Sequence, residues 1–186
     1  MKSKFIGFIV VVILLVVGLG VFMNKSAGPS KYDDFAKSLT SKGAKFYGAF
    51  WCTHCKAQKS LFGCAVQYLP YVECSNTDQS STQICVDEKI ESYPSWKFKD
   101  GITVISKGEP KVCSVAPGQA GEPAVCAQVA SKNGRTWIFP QYKFSIKSAT
   151  EPVVKDGVWK FDATSMTTGE LPLDFLAQQI GYTLPQ

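Results

Sequence analysis

The residues best placed to do chemistry are Trp51-Cys52-Thr53-His54-Cys55. A Cys-x-x-Cys that opens a helix sets the first sulfur among backbone N–H groups without partners, at the positive end of the helix dipole, which favours the thiolate. The second sulfur lies one turn on, close enough to attack a mixed disulfide on the first. Cys52 is therefore expected to be the attacking nucleophile and Cys55 the resolving thiol, with the Cys52–Cys55 disulfide itself as the redox group and no separate cofactor. His54, the single histidine of the chain, can hold positive charge beside the thiolate. That stabilises the reduced form and makes the oxidised form a better disulfide donor. Trp51 and Thr53 flank the pair and, with Tyr93, are expected to touch substrate. The competing reading is a structural zinc site completed by Cys74 and Cys85. Zinc ribbons place two short Cys-x-x-Cys knuckles on hairpins, whereas here one pair opens a helix and the other two cysteines are widely spaced. No metal is expected.

Pro94 is the second element. A cis proline facing the sulfurs would leave the preceding backbone free to pair with an extended substrate. An ordinary turn before a strand is the plainer reading of Tyr93-Pro94, and Phe139-Pro140 is a rival for the same role.

Positioning these groups requires a strand, a helix and a sheet edge. Tyr32, Phe35, Ala36 and Leu39 recur at helical spacing up to Gly43, so 31–42 reads as an amphipathic helix. Lys45 to Phe50 reads as a buried aromatic strand ending at the cysteine pair. From Cys52 to Leu69 the apolar steps of three and four predict one helix, stopped by Pro70, with Leu61, Cys64 and Ala65 inward. Tyr71 to Cys74 reads as a strand, Ser75 to Ser81 as a loop, and Thr82 to Glu91 as a short helix with Ile84, Cys85 and Ile90 inward. Trp96-Lys97-Phe98 begins an alternating strand before the Asp100-Gly101 turn. The stretch from about 99 to 157 holds five of the ten prolines and reads as a strand-rich insertion, with strands near Ile102 to Ser106 and Trp137 to Ile146. Trp159-Lys160-Phe161 echoes Trp96-Lys97-Phe98, which predicts that the insertion separates the two strands of one hairpin. A last helix spans Leu171 to Ile180 with Gly181 as cap. This order predicts an α/β sandwich of the thioredoxin class.

Phe5 to Phe22 is uncharged and apolar, long enough at about 1.5 Å per residue to cross a bilayer core. It is longer than a signal-peptide core and lacks a good small-x-small site, so residues 1–25 read as an uncleaved transmembrane anchor, with 26–186 as the domain. Lys2 and Lys4 put the N-terminus in the cytoplasm and the domain outside, in the periplasm or at the cell exterior. Seven cysteines after the span suit such an oxidising compartment. The net charge of +5 is scattered, without the dense basic stripe that binds nucleic acid. With 45% hydrophobic and 19% charged residues, the chain has the composition of an ordinary folded domain.

Phe46-Tyr47-Gly48-Ala49-Phe50-Trp51-Cys52-Thr53-His54-Cys55-Lys56-Ala57-Gln58-Lys59, Leu61-Phe62-Gly63, Pro70-Tyr71-Val72-Glu73-Cys74, Cys85 and Ile90-Glu91-Ser92-Tyr93-Pro94-Ser95-Trp96 resemble the thioredoxin-like domain attached to bacterial vitamin K epoxide reductase homologues, as Gly169 to Ala177 resembles its last helix. The resemblance implies a domain that passes oxidising equivalents from a quinone-linked membrane oxidoreductase to protein thiols, and a structural disulfide between Cys74 and Cys85. With a single span the partner would be a separate protein. Thioredoxin-type reductases commonly carry a carboxylate six residues before the first active-site cysteine; Phe46 stands there, which favours the oxidase direction. Cys113 and Cys126, alone together in the insertion, are expected to pair, leaving Cys64 as a free, buried thiol. The alternatives are a disulfide isomerase or reductase, or a non-catalytic binding module that only displays the insertion.

Overall fold

The computed structural model describes residues 30–106, 108–114, 134–139 and 141–186. The predicted span and the cysteine at 126 lie outside these, as does the rival proline at 140. Among the described residues no helix is long and apolar enough to cross a membrane.

Helix α1 (Asp33–Ser41) starts with two aspartates that complement its dipole and buries Phe35, Ala36 and Leu39. Strand β1 (Lys45–Gly48) follows and leads through Ala49 to Trp51 into helix α2 (Thr53–Ser60). Here the structure departs from the continuous helix expected over 52–69. Gly63 adopts φ +53°, a left-handed conformation that ends the α-helical run, and the chain resumes as a 3-10 helix, Gly63–Tyr68. The change of phase turns Phe62 inward and leaves Leu61 and Cys64 exposed. Cys64 is free, as expected, but not buried.

Strand β2 (Tyr71–Glu73) runs parallel to β1, with Gly48 beside Glu73. Helix α3 is only five residues long, Gln83–Asp87, and turns Cys85 inward, while Ile84, expected inward, is exposed. A cis peptide joins Tyr93 to Pro94, and β3 (Ser95–Lys97) pairs antiparallel with β1.

The expected hairpin between Trp96 and the Trp159 segment is not formed. The partner of β3 is β10 (Met166–Thr168), with Thr167 opposite Trp96. Trp96 stacks between Phe46 at 4.6 Å and Phe98 at 6.2 Å, and Thr167 is fully buried beside it. Strand β9 (Val158–Phe161) instead pairs with β4 (Ile102–Ile105) and β8 (Val153–Lys155) in a separate three-stranded sheet. Its Phe161 packs against Trp137 at 5.3 Å.

The insertion is strand-rich, as expected, and part of it joins the main sheet. Strands β5 (Lys111–Ser114), β6 (Arg135–Ile138) and β7 (Ser145–Ser148) extend the main sheet beyond β10, in the order β2-β1-β3-β10-β7-β6-β5. The strand expected over 137–146 is thus two strands, β6 and β7. The inserted unit runs from about 99 to 165, and β10 is the strand that resumes the original sheet. Helix α4 (Leu173–Ile180) ends at Gly181 in the left-handed region. Together α1, the 3-10 helix and α4 cover one face of a mixed α/β fold. On the other face of β1, Tyr47 packs with Cys74 and with Cys85 of α3 in a small separate cluster.

Candidate active site

Cys52 caps α2. Its backbone is extended, at φ −70° and ψ 117°, and its sulfur accepts the N–H of Cys55 at 3.2 Å. A capping sulfur that receives a backbone N–H at a helix start is held where negative charge is favoured. Cys55 sits one turn along the helix and is buried. Its thiol is pushed up to about 12, first by burial and then by the hydrogen bond with Cys52. Both cysteines are buried; they differ in that the Cys52 sulfur caps the helix start while the Cys55 thiol lies one turn in and is held toward its protonated form.

Room for that second thiol is made by Gly48. A Cβ there would lie 2.9 Å from both the Cys55 sulfur and the Tyr71 ring, closer than real contacts allow. Tyr71 donates its hydroxyl to Glu73 Oε2 at 2.9 Å, while Lys59 lies over the Tyr71 ring, 3.2 Å from its centroid. Burial raises the Tyr71 hydroxyl, with Glu73 as the second cause, and burial lowers the Lys59 ammonium against opposing pulls from Glu73 and Cys55. The other Glu73 oxygen accepts the backbone N–H of Phe50 and Ser75, at 3.1 and 3.0 Å, and so fixes the strand-to-helix turn.

Trp51 donates from Nε1 to Ser75 Oγ at 2.8 Å, and its ring meets Tyr93 edge-on at 6.0 Å. Trp51, Cys52, Thr53, His54 and Tyr93 line one depression of about 400 Å³. Beside it lies a groove of about 700 Å³, walled by His54, Tyr93, Pro94, Tyr142, Lys143 and Glu170. Pro94 is tied to the far wall, since its carbonyl accepts the N–H of Gly169 at 2.9 Å. The residues singled out around the Cys-x-x-Cys therefore lie together, and the inserted unit contributes Tyr142 and Lys143 to the same surface.

Three contributors had no plain signal in the sequence. Glu170 meets His54 Nδ1 at 2.7 Å across 116 residues, a juxtaposition that only the fold creates. Gln58 is fully buried; its amide donates to the Leu171 carbonyl at 3.0 Å and accepts the Leu171 N–H at 2.6 Å. This clamp fixes the 169–172 segment, and with it Glu170, against α2. A polar residue three positions after Cys55, on the helix face that carries Phe62 inward, was the available clue. Glu73 reads in sequence as the end of a short strand.

Cys74 and Cys85 form a disulfide with a Cα–Cα distance of 5.4 Å, which joins the end of β2 to α3 and removes the two ligands that a zinc site needed. Cys113 is buried in β5 and is disulfide-bonded, while Cys126 lies outside the described residues. Phe46, six residues before Cys52, is fully buried against Trp96.

No family model matches the chain. Over 72 residues it is 47% identical to the thiol-disulfide oxidoreductase LTO1 of Arabidopsis thaliana, a stretch that is 36% of this chain and 19% of that protein. The chain thus spans less than a quarter of the relative's length. The similarity supports a thiol-disulfide oxidoreductase role in general.

Proposed function

We propose that this chain is a thioredoxin-like disulfide oxidase that exchanges a Cys52–Cys55 disulfide with protein thiols outside the cytoplasm. The observation that carries the reading is the different placing of two buried cysteines, Cys52 capping α2 and accepting the Cys55 N–H, and Cys55 one turn along with its thiol pushed up to about 12. Strand β1 between parallel β2 and antiparallel β3, with the helix leaving its end and Pro94 opening β3, supports the thioredoxin-like assignment.

In the forward reaction a client thiolate attacks the Cys52 sulfur of the oxidised pair. The Cys52–Cys55 bond breaks, a client–Cys52 disulfide forms, and Cys55 leaves and takes up a proton. A second client thiolate attacks the client sulfur of that mixed disulfide and releases Cys52 as a thiolate. The client is oxidised by two electrons and the chain is reduced by two. A quinone-linked membrane oxidoreductase of the vitamin K epoxide reductase kind would restore the disulfide, with residues 1–25 holding the domain at the membrane. Phe46 in place of a carboxylate, together with a Cys74–Cys85 disulfide suited to an oxidising compartment, supports the oxidase direction.

The test is to mix the oxidised chain with a reduced, unfolded protein and count free thiols. Loss of two client thiols per chain, together with a reduction potential nearer about −120 than about −270 mV, is the expected result. A potential at the reductive end of that range would overturn the oxidase reading and leave a reductase.

A further inference from the structure

When the Cys52–Cys55 bond opens, Cys55 leaves as a thiolate in a place that water scarcely reaches, since it is 1% exposed. Its proton has to be brought by the chain. Lys59 stands four residues further along α2, and in an α-helix that spacing puts two side chains on one face, with Cβ atoms about 5–6 Å apart. Both side chains meet the same ring. Tyr71 borders the space left by Gly48, where a Cβ would lie 2.9 Å from its ring and from the Cys55 sulfur alike, and the Lys59 ammonium sits 3.2 Å from the Tyr71 ring centroid. The half-buried Lys59 stem therefore links the surface to the ring beside the buried sulfur.

Glu73 fixes this platform. One of its oxygens accepts the Tyr71 hydroxyl at 2.9 Å and the other accepts the N–H groups of Phe50 and Ser75, so it acts on Lys59 as a neighbouring charge rather than as a hydrogen-bond acceptor. From β1 it is Phe46 and Gly48 that meet Tyr71. The charged and titratable groups gathered here are thus Lys59, Glu73, Tyr71 and the two cysteines. Burial makes the Lys59 ammonium a better acid than an ordinary lysine, against the opposing pull of Glu73 and Cys55. Burial pushes the Cys55 thiol the other way, up to about 12. A proton therefore passes downhill from Lys59 to a freed Cys55 thiolate.

We infer that Lys59 is the proton donor to Cys55 as the Cys52–Cys55 bond breaks, with Tyr71 and Glu73 positioning it. The attacking thiolate bonds to the Cys52 sulfur, the electron pair of the broken bond goes to the Cys55 sulfur, and that sulfur takes a proton from the Lys59 ammonium. The neutral amine then regains a proton from water at the surface. The inference rests on the Cys52–Cys55 exchange proposed above, and holds whether the chain works as oxidase or reductase.

Reduction of the oxidised full chain by dithiothreitol, quenched with acid and followed by alkylation and thiol counting, gives the rate of this step. Lys59→Met should be slower than wild type by about tenfold or more. Lys59→Arg keeps the charge but holds its proton too tightly to give it up, and should recover only part of the rate. Expressed per dithiothreitol thiolate, the wild-type rate should fall with rising pH as the ammonium, which burial places below the usual 10.5, loses its proton. Lys59→Met should show no such fall. In the oxidised chain neither cysteine of the pair titrates, and burial and Glu73 hold the Tyr71 hydroxyl above its usual value, so the decline reports Lys59. Equal rates in wild type and Lys59→Met, or a full rate in Lys59→Arg, overturns the inference. No reduction of the pair even in wild type would instead overturn the Cys52–Cys55 couple on which it rests.

Discussion

His54 Nδ1 and Glu170 Oε1 meet at 2.7 Å although 116 residues separate them, and the contact depends on the clamp between Gln58 and Leu171 next to it. The carboxylate orients the ring beside Cys52. Both side chains are more than one-third exposed, so the effect is modest. Glu170→Gln should slow iodoacetamide alkylation of Cys52 by about two- to fivefold at low salt, and less at high salt. An unchanged rate at low salt would mean that Glu170 does not position the imidazole.

The clamp itself gives a stability prediction. Gln58→Ala leaves the Leu171 N–H and C=O buried without partners, at about 1–3 kcal/mol for each group. Denaturant unfolding should show a loss of about 2–6 kcal/mol, while Gln67→Ala, at an exposed side chain that donates to the Cys64 carbonyl, should stay within about 0.5 kcal/mol of wild type. Equal effects would show that Gln58 is not a structural tie.

Cys55 predicts a pH dependence confined to the reduced chain. Its thiol moves from an ordinary 9.0 to about 12 on folding, so folding favours the protonated form. The stabilisation is complete below about 9 and is lost as pH rises toward about 12. Thermal unfolding of the reduced chain should therefore fall steadily across that window. The same measurement on the oxidised chain lacks this component, because a disulfide does not titrate. In parallel, alkylation at neutral pH should label Cys52 and the exposed Cys64 while sparing Cys55.

Gly48→Ala places a methyl group 2.9 Å from the Cys55 sulfur and the Tyr71 ring, where overpacking costs about 1–3 kcal/mol. Unfolding measurements on the reduced and oxidised forms should both show the loss. Stability equal to wild type would mean that the Cys55 pocket repacks freely.

The parts of this arrangement that rest on local pattern were readable before the fold was known. The helical spacing of Phe35, Ala36 and Leu39, the aromatic strand before Cys52 and the glycine after Ile180 each fix an element from neighbouring residues. Residues that depend on strand partnering were not readable in this way. Trp159 and Trp96 share a local pattern, yet the partner of Trp96 is Thr167 and that of Trp159 is Val104, a choice made by contacts far apart in sequence. Gly63 had the composition of a helix interruption, but the apolar steps on either side hid the change of phase that exposes Cys64. Glu170 and Gln58 act through contacts more than 100 residues away in sequence, which no local signal carries.

The central claim is that Cys52 and Cys55 form one two-electron redox couple. The direct measurement is equilibration of the chain in glutathione buffers of graded potential, followed by acid quench, alkylation and peptide mass mapping. Cys52 and Cys55 should convert together along a single two-electron curve, with the exposed Cys64 outside that couple and Cys74 linked to Cys85 throughout. Conversion of Cys52 with any cysteine other than Cys55, or no conversion of the pair across the glutathione range, would contradict the account.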